Sequence, residues 1–250
     1  PFFYVTGLMG GLGINRQLQL PPISNLDDSI LLSIMDSATT ASDPMYPLRQ
    51  ISDQMAIERG SYWFALGVKF TSFKVVESRA VLYLQFDQDS FKLGLMGISA
   101  LALPDKDFVL SFIELAYHAH YDSEVNELWV QAQLTDASYI FSPSCRLTGG
   151  FALVFWFNTG EFLLSLGGYH PKFNKPAYYP SVPRLGLSWK PSQNLEVKGG
   201  AYFTLCSSAV MLGGGLEIAY KKGKLAAGLR AGVDILVVFD PLYYNFDLYT

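Results

Sequence analysis

Two histidines separated by one residue, His118 and His120, are the side chains in this sequence best placed for metal chemistry. In a strand, residues i and i+2 point to the same face, and Glu114 and Asp122 fall on that face as well. A catalytic zinc site needs three protein ligands, which converge from different strands, and His170 is the remaining histidine. The alternative is the solvated face of an amphipathic strand, because apolar and aromatic residues occupy the alternate positions.

A proline-rich loop over residues 169–183 contains a second candidate site, a stacking platform for a sugar or another planar ligand. The aromatic candidates are Tyr169, Phe173, Tyr178 and Tyr179, with Trp189 nearby, and the polar ones are Lys172, Lys175 and Arg184. We favour a simpler interpretation, in which the rings and prolines cover a sheet edge or the end of a groove, since aromatic rings bury much area. The four prolines exclude a central strand.

Other catalytic patterns are weak. Residues 7–13 have the spacing GxxGGxG instead of GxGxxG, and no helix follows directly, as phosphate binding would require. Paired carboxylates lie in predicted loops or helix starts, where solvation or capping explains them, and the sequence has no GxSxG elbow. We therefore expect no catalytic residue, no cofactor and no enzymatic activity.

Helical periodicity is confined to the N-terminal part of the chain. The apolar residues Leu26, Ile30, Leu31, Ile34 and Met35 fall on one face of a helix. A second, shorter helix is expected over 46–58 with Gly60 as its stop, so that 26–58 forms a helical insertion. Before this insertion, the sequence predicts a strand over 2–8 and a glycine-rich turn over 10–13.

From Tyr62 onward, nearly every segment alternates with period two, which indicates strands. The segment 147–157 is apolar on both faces and should be the most buried strand. The segment 224–240 has eight apolar positions on one face, among them Leu229 and Val233, and at ~3.3 Å per residue would be about 50 Å long.

Short turns between the last strands predict a meander, and glycines inside strands predict curvature. The predicted fold class is therefore mainly β: a long, strongly curved antiparallel meander sheet with two short helices near the N-terminus. The sheet could take the form of a sandwich, an open barrel or a groove.

Composition excludes some functions. The chain is 50% hydrophobic and only 16% charged, with a net charge of −4, so it can bury a large core and has no electrostatic footprint for nucleic acid. Cys145 and Cys206 match no metal or redox spacing, and we expect them to be free thiols, which favours an intracellular location. The start at Pro1 and the alternation at the other end suggest that 1–250 is one β-rich segment of a larger protein.

Three stretches resemble a known family. They are GLMGGLGINR at 7–16, the segment from Gln133 to Phe157 that begins QLTDASYIFSPSCRLTGG, and LGGYHPKFNKPAYYPSVPRLGLSW at 166–189. Together they resemble a family of very large bacterial and fungal proteins described only as a domain of unknown function. The resemblance implies a segment of a long multi-domain protein and implies no reaction and no functional residues.

Three functional hypotheses follow. The favoured one is a non-enzymatic structural or binding segment whose apolar strand faces pack on neighbouring segments of the parent polypeptide. The second is an apolar groove for lipid or another hydrophobic small molecule, with the face containing Leu229 and Val233 as its wall. The third is a transmembrane β-barrel, which the alternation and tight turns fit but the helices and the long strands do not.

Overall fold

The computed structural model describes residues 3–37, 55–105 and 108–250, and most of these residues lie in antiparallel strands. The strands are β1 (Phe3–Arg16), β2 (Ile57–Ser72), β3 (Val76–Phe86), β4 (Phe91–Pro104), β5 (Val109–Asp122), β6 (Glu127–Leu134), β7 (Cys145–Thr148), β8 (Gly150–Trp156), β9 (Glu161–Leu166), β10 (Leu185–Ser192), β11 (Leu195–Cys206), β12 (Ala209–Lys222), β13 (Leu225–Phe239) and β14 (Leu242–Tyr249). A 3-10 helix, Ile23–Asp28, and the helix α1, Ile30–Ser37, complete the described elements.

Strand order follows chain order over most of the fold. The hydrogen-bonded path runs β1-β2-β3-β4-β5-β6-β8-β9-β11-β12-β13-β14, with β10 between β11 and β7. β1 and β14 stand at the two ends of this path, so the sheet is not closed. The predicted fold class, a mainly β antiparallel meander with two short helices near the N-terminus, is confirmed.

The chain divides into two compact units. The first unit comprises Pro1–Val109 and Glu114–Val130, and the second comprises Leu110–Ile113 and Gln131–Thr250. The core of the first unit lies between one face of its sheet and the helical segment: Leu26, Leu31 and Leu32 pack with Trp63 and Tyr83. The helical prediction for 26–35 is therefore confirmed, although a break between Asp28 and Ile30 divides it into two helices.

The second predicted helix, over 46–58, falls partly outside the described residues. Where the structure describes it, the prediction is wrong, because Ile57 and Glu58 begin the 16-residue strand β2. Gly60 does not stop a helix but lies inside this strand with φ +86°.

The predicted glycine turn over residues 10–13 is also wrong, since β1 continues without interruption past all three glycines to Arg16. β1 pairs with β2 through this region, with Gly11 opposite Ala65 and Gly13 opposite Trp63. A Cβ on Gly13 would lie 2.1 Å from Nε1 of the buried Trp63 indole, and one on Gly11 would lie 3.0 Å from the same ring. The glycines therefore make room for a tryptophan instead of bending the chain.

The second unit contains an excursion of the chain out of the sheet. β9 and β10 both pair with β11: Leu166 lies opposite Phe203, and Leu185 opposite Ala201. The chain thus leaves the sheet and re-enters it two positions away on the same neighbour, and residues 167–184, the excursion loop, cross one face between these points. Gly167 and Gly168 open the loop with φ of +77° and +82°, values that favour glycine. No strand lies in the excursion loop, as its prolines predicted.

The segment 147–157 is divided at Gly149 into β7, which pairs with β10, and β8, which pairs with β9. Ala152 and Val154 of β8 are fully buried, and Phe151, Leu153 and Phe155 on its other face are half-buried, so no residue of β8 is exposed. Period-two alternation predicts strands over 194–205, 209–220 and 224–240, and β11 to β13 match these positions closely.

Candidate functional site

The first unit has a large apolar sheet face on the side opposite its helices. Four same-face residues from each of β1 to β4 lie in register in four cross-strand rows. The rows are Ile14–Tyr62–Phe86–Phe91, Leu12–Phe64–Leu84–Leu93, Gly10–Leu66–Leu82–Leu95 and Leu8–Val68–Ala80–Gly97. None of these sixteen residues, which we call the apolar face, has a charged side chain.

Many side chains of the apolar face are exposed to solvent. Leu8 is 82% exposed, Leu12 69% and Leu66 49%. A recess of about 500 Å³ lies within the face, lined by Gly10 and by the side chains of Leu8, Leu66, Leu82 and Leu95. The intervening residues of the same strands, such as Trp63 and Tyr83, are buried under the helices. Alternation along β1 to β4 therefore creates one buried face and one open face, both apolar.

The excursion loop of the second unit gathers the predicted aromatic residues into one cluster. Tyr169 contacts Phe173 and Tyr179, with ring centroids 6.1 and 6.2 Å apart, and Tyr178 meets Tyr179 edge to face at 5.2 Å. Trp189 does not join them in the described structure. It lies in β10 opposite Val197, and Trp156 of β8 takes its place, stacked on Tyr179 at 5.3 Å.

Most of this cluster is packed instead of open. Tyr179 is 4% exposed, and burial raises the pKa of both Tyr169 and Tyr179 above its usual value. The Tyr169 hydroxyl donates to the carbonyl of Pro180 at 2.9 Å. Tyr178 is half exposed and donates to Glu161 Oε2 at 3.0 Å. The stacking platform stays a prediction, and Tyr178 is the ring of this cluster that it would depend on.

The predicted polar contacts hold the loop in place. Lys175 Nζ donates to the Tyr179 carbonyl at 2.8 Å, and Lys172 forms an ion pair with Asp247 at 2.7 Å. Arg184 Nη2 donates to the Tyr169 carbonyl at 2.9 Å. The excursion loop is thus tied to itself and to β14, and it covers Thr204, whose hydroxyl donates to the Gly168 carbonyl at 2.7 Å.

Leu229 and Val233 lie on the other face of the second unit's sheet. The side that the excursion loop covers contains three register neighbours on adjacent strands, Tyr202, Gly213 and Asp234. Val233 is next to Asp234 in β13 and therefore points to the opposite side. Leu229 is 57% exposed and Val233 is half-buried. The ligand-binding residues predicted from the sequence therefore divide between two faces and cannot form one site.

His118 and His120 do share a face, as the spacing predicted, with ring centroids 4.8 Å apart. That face is the buried one: Tyr83 Oη lies 2.8 Å from His118 Nε2, and Glu127 lies 3.7 Å from His120 Nε2. Burial lowers the pKa of each histidine to about 4. The solvated-face interpretation is therefore incorrect, because these side chains lie beside the core.

No group of three or more histidine, cysteine or carboxylate side chains within residues 3–37, 55–105 and 108–250 is arranged to hold a metal ion. Asp122 forms an ion pair with Lys92 at 2.7 Å. Metal binding by His118 and His120 stays a prediction. Both cysteines are free and buried, as expected. Across the described residues, no helix has the length and apolar character needed to span a membrane.

Comparison with known proteins identifies the family. The model of a family of unknown function, DUF6603, matches residues 1–250. The chain belongs to this family. No curated protein and no solved structure matches the chain. The resemblance of the three motifs to a family of unknown function is confirmed, and membership of DUF6603 assigns neither an activity nor a ligand.

The apolar face could not be recognised from the sequence as the main exposed feature of this DUF6603 chain. The alternation of Phe64 and Leu66 in β2, and of Leu82 and Leu84 in β3, was visible. The residues between them, Trp63 and Val81 among them, are apolar as well, and only the structure shows that the helices cover this second set. When both faces of a strand are apolar, the alternation does not show which one is left open.

Proposed function

We propose that this chain is a non-enzymatic structural or binding segment, and that the apolar face of its first unit is the surface that binds its partner. The observation that carries the proposal is the set of sixteen uncharged residues in four strands, many of them exposed. Four strands ~4.8 Å apart with side chains every ~6.8 Å cover about 500 Å². Exposed apolar patches of this size commonly mark interaction sites.

The partner that fits this face best is another apolar sheet. Sheets pack face to face at about 10 Å through interdigitating side chains, and the mixture of leucine, phenylalanine and glycine offers such ridges and gaps. The absence of charge on the face gives a polar partner nothing to pair with. A neighbouring β-rich segment of the same polypeptide would meet these requirements, and its contact would supply much of the ~800 Å² per partner of a stable interface.

Self-association of the purified chain tests this proposal. In sedimentation velocity at increasing protein concentration, without detergent, we expect oligomers that use the apolar face in place of the natural partner. Leu66→Asp places a charge at the centre of the face and should restore the monomer. Val125→Asp is the matched control, because Val125 is also 49% exposed but lies in the turn between β5 and β6. A chain that stays monomeric and does not bind a hydrophobic dye would refute the proposal.

The recess within the apolar face supports a second candidate, the binding of a lipid or another hydrophobic molecule. Its volume of about 500 Å³ falls within the ~300–1,000 Å³ of small-molecule sites, and its walls are aliphatic. Native mass spectrometry followed by organic extraction separates the two candidates. A stoichiometric hydrophobic molecule that Leu66→Asp displaces and Val125→Asp retains would favour the ligand, whereas a clean protein mass in the oligomers would favour sheet packing.

A further inference from the structure

A polar cavity lies in the second unit, on the face that the excursion loop only partly covers. Its volume is about 290 Å³, near the lower end of the ~300–1,000 Å³ of small-molecule sites. The excursion loop borders it at Pro171 and Arg184, and β11 to β14 form its floor and remaining walls. It is unrelated to the apolar face, which belongs to the first unit.

The floor is made of glycines because tyrosine rings lie flat across the strands. Gly215 is the register neighbour of Gly200 and Gly232, and Gly232 lies opposite Tyr249. A Cβ on Gly232 would lie 2.3 Å from the Tyr249 hydroxyl, and one on Gly213 would lie 2.6 Å from the Tyr202 ring. Any side chain at these positions would fill the cavity or displace its walls, so the space exists because of the residue types.

Two guanidinium groups border the cavity without a carboxylate partner among the described residues. Arg184 lies over the Tyr202 ring, 3.9 Å from its centroid, and Arg230 lies over the Tyr249 ring at 5.1 Å. Arg184 uses Nη2 for the Tyr169 carbonyl, while its buried Nη1 has no hydrogen-bond partner within the described chain. Burial lowers the pKa of this guanidinium. A partly desolvated guanidinium with an unused donor is stabilised by a nearby anion.

Acceptor groups stand beside these donors. Asp234 accepts a hydrogen bond from the Tyr202 hydroxyl through Oδ1 at 2.7 Å, and Glu217 lies on the cavity wall as the register neighbour of Arg230. Lys198 also lines the wall, but Glu196 neutralises it in an ion pair at 3.1 Å, so the two arginines and two carboxylates are the charges that face a ligand. A ligand for this wall would combine one oxyanion for the arginines with hydroxyl groups for the carboxylates.

We propose that this cavity, the arginine cavity, binds a small hydroxylated oxyanion, the chemistry shared by sugar acids and sugar phosphates. The guanidinium groups of Arg184 and Arg230 bind the carboxylate or phosphate, and Asp234 and Glu217 accept hydrogen bonds from neighbouring hydroxyls. The role is independent of the apolar face, and failure of one proposal does not affect the other.

Isothermal titration calorimetry on the whole chain at low salt tests the arginine cavity with three probes that share the six-carbon skeleton of glucose. Glucuronate carries a carboxylate, glucose 6-phosphate carries a phosphate, and glucose carries neither. We expect at least one of the two anions to bind and glucose to bind at least tenfold more weakly, since a charge-assisted hydrogen bond is worth about 1.5–3 kcal/mol. The anion that binds identifies the oxyanion as carboxylate or phosphate. No binding of either anion at millimolar concentration would overturn the proposal.

Charge variants show whether binding occurs in the cavity. Arg230→Gln should weaken anion binding about tenfold, because it removes one of the two guanidinium groups. Lys224→Gln removes the same charge from the exposed turn between β12 and β13 and should change the affinity less than about twofold. Equal losses in Arg230→Gln and Lys224→Gln would indicate general surface attraction and overturn the proposal.

Discussion

Adding one methyl group to β1 should have opposite effects at two glycines only three residues apart. A Cβ on Gly13 would lie 2.1 Å from Nε1 and 2.5 Å from Cε2 of Trp63, whereas a Cβ on Gly10 would meet no atom within 4 Å. Neither residue has the positive φ that would strain an alanine. The comparison of Gly13→Ala with Gly10→Ala therefore measures the space beside Trp63 and little else.

The magnitudes follow from packing and chain entropy. Trp63 is 2% exposed and also lies 3.0 Å from the position of a Cβ on Gly11, so its indole cannot move aside along the strand. Overpacking a filled core costs about 1–3 kcal/mol, which we expect for Gly13→Ala. Gly10→Ala enters open space and should stabilise the strand by about 0.5–1 kcal/mol, because alanine loses less backbone freedom on folding. The two variants should therefore differ by about 1.5–4 kcal/mol.

Equilibrium unfolding in urea, followed by circular dichroism and tryptophan fluorescence, measures this difference. Gly13→Ala should lower the midpoint, and Gly10→Ala should leave it unchanged or raise it, with similar slopes. If both variants changed stability by the same amount, the segment would behave as the glycine-rich turn that its composition suggested, and the role of Trp63 would be refuted.

Two further predictions concern buried polar groups. Burial lowers the pKa of His118 from 6.5 to about 4, so the unfolded chain binds a proton at this histidine more readily than the folded chain does. The free energy of unfolding should therefore fall as the pH drops below 6.5 and level off near pH 4. At pH 5 the free energy of unfolding lost through His118 is about 2 kcal/mol. Urea titrations at pH 7.5 and pH 5 measure this loss, and His118→Gln should remove it. A variant with an unchanged pH dependence would contradict the role of His118. In urea unfolding, Thr204→Val should lower the free energy of unfolding by about 1–3 kcal/mol, because it leaves the buried Gly168 carbonyl without its donor. The control Thr148→Val should lower it by less than about 0.5 kcal/mol, since water replaces the exposed Thr148 hydroxyl at the Arg184 carbonyl. Equal costs would mean that burial of the Thr204 hydroxyl adds nothing.

The arginine cavity left only a partial signal in the sequence. Gly213, Gly215 and Gly232 were visible as glycines inside strands, and such positions often mark a close approach. Nothing local showed that Tyr202 and Tyr249 lie across them, because that depends on the register of β11 to β14. Arg184 was identified as a polar group of the proline-rich loop, but the cavity that it lines also contains Arg230, 46 positions further along the sequence.

The sequence by itself determined the features that repeat over a few residues. Period-two alternation located β11, β12 and β13, the prolines excluded a strand from the excursion loop, and the i, i+2 spacing placed His118 and His120 on one face. Only the tertiary structure decided which faces are covered. The two histidines are buried beside Tyr83, and the apolar face stays open because the helices cover the other side. The glycines of β1 likewise make room for Trp63 from a neighbouring strand instead of forming a turn. The reason is physical. Alternation is set by the geometry of one strand, whereas burial depends on which distant element packs against it, and a strand that is apolar on both faces is compatible with either choice.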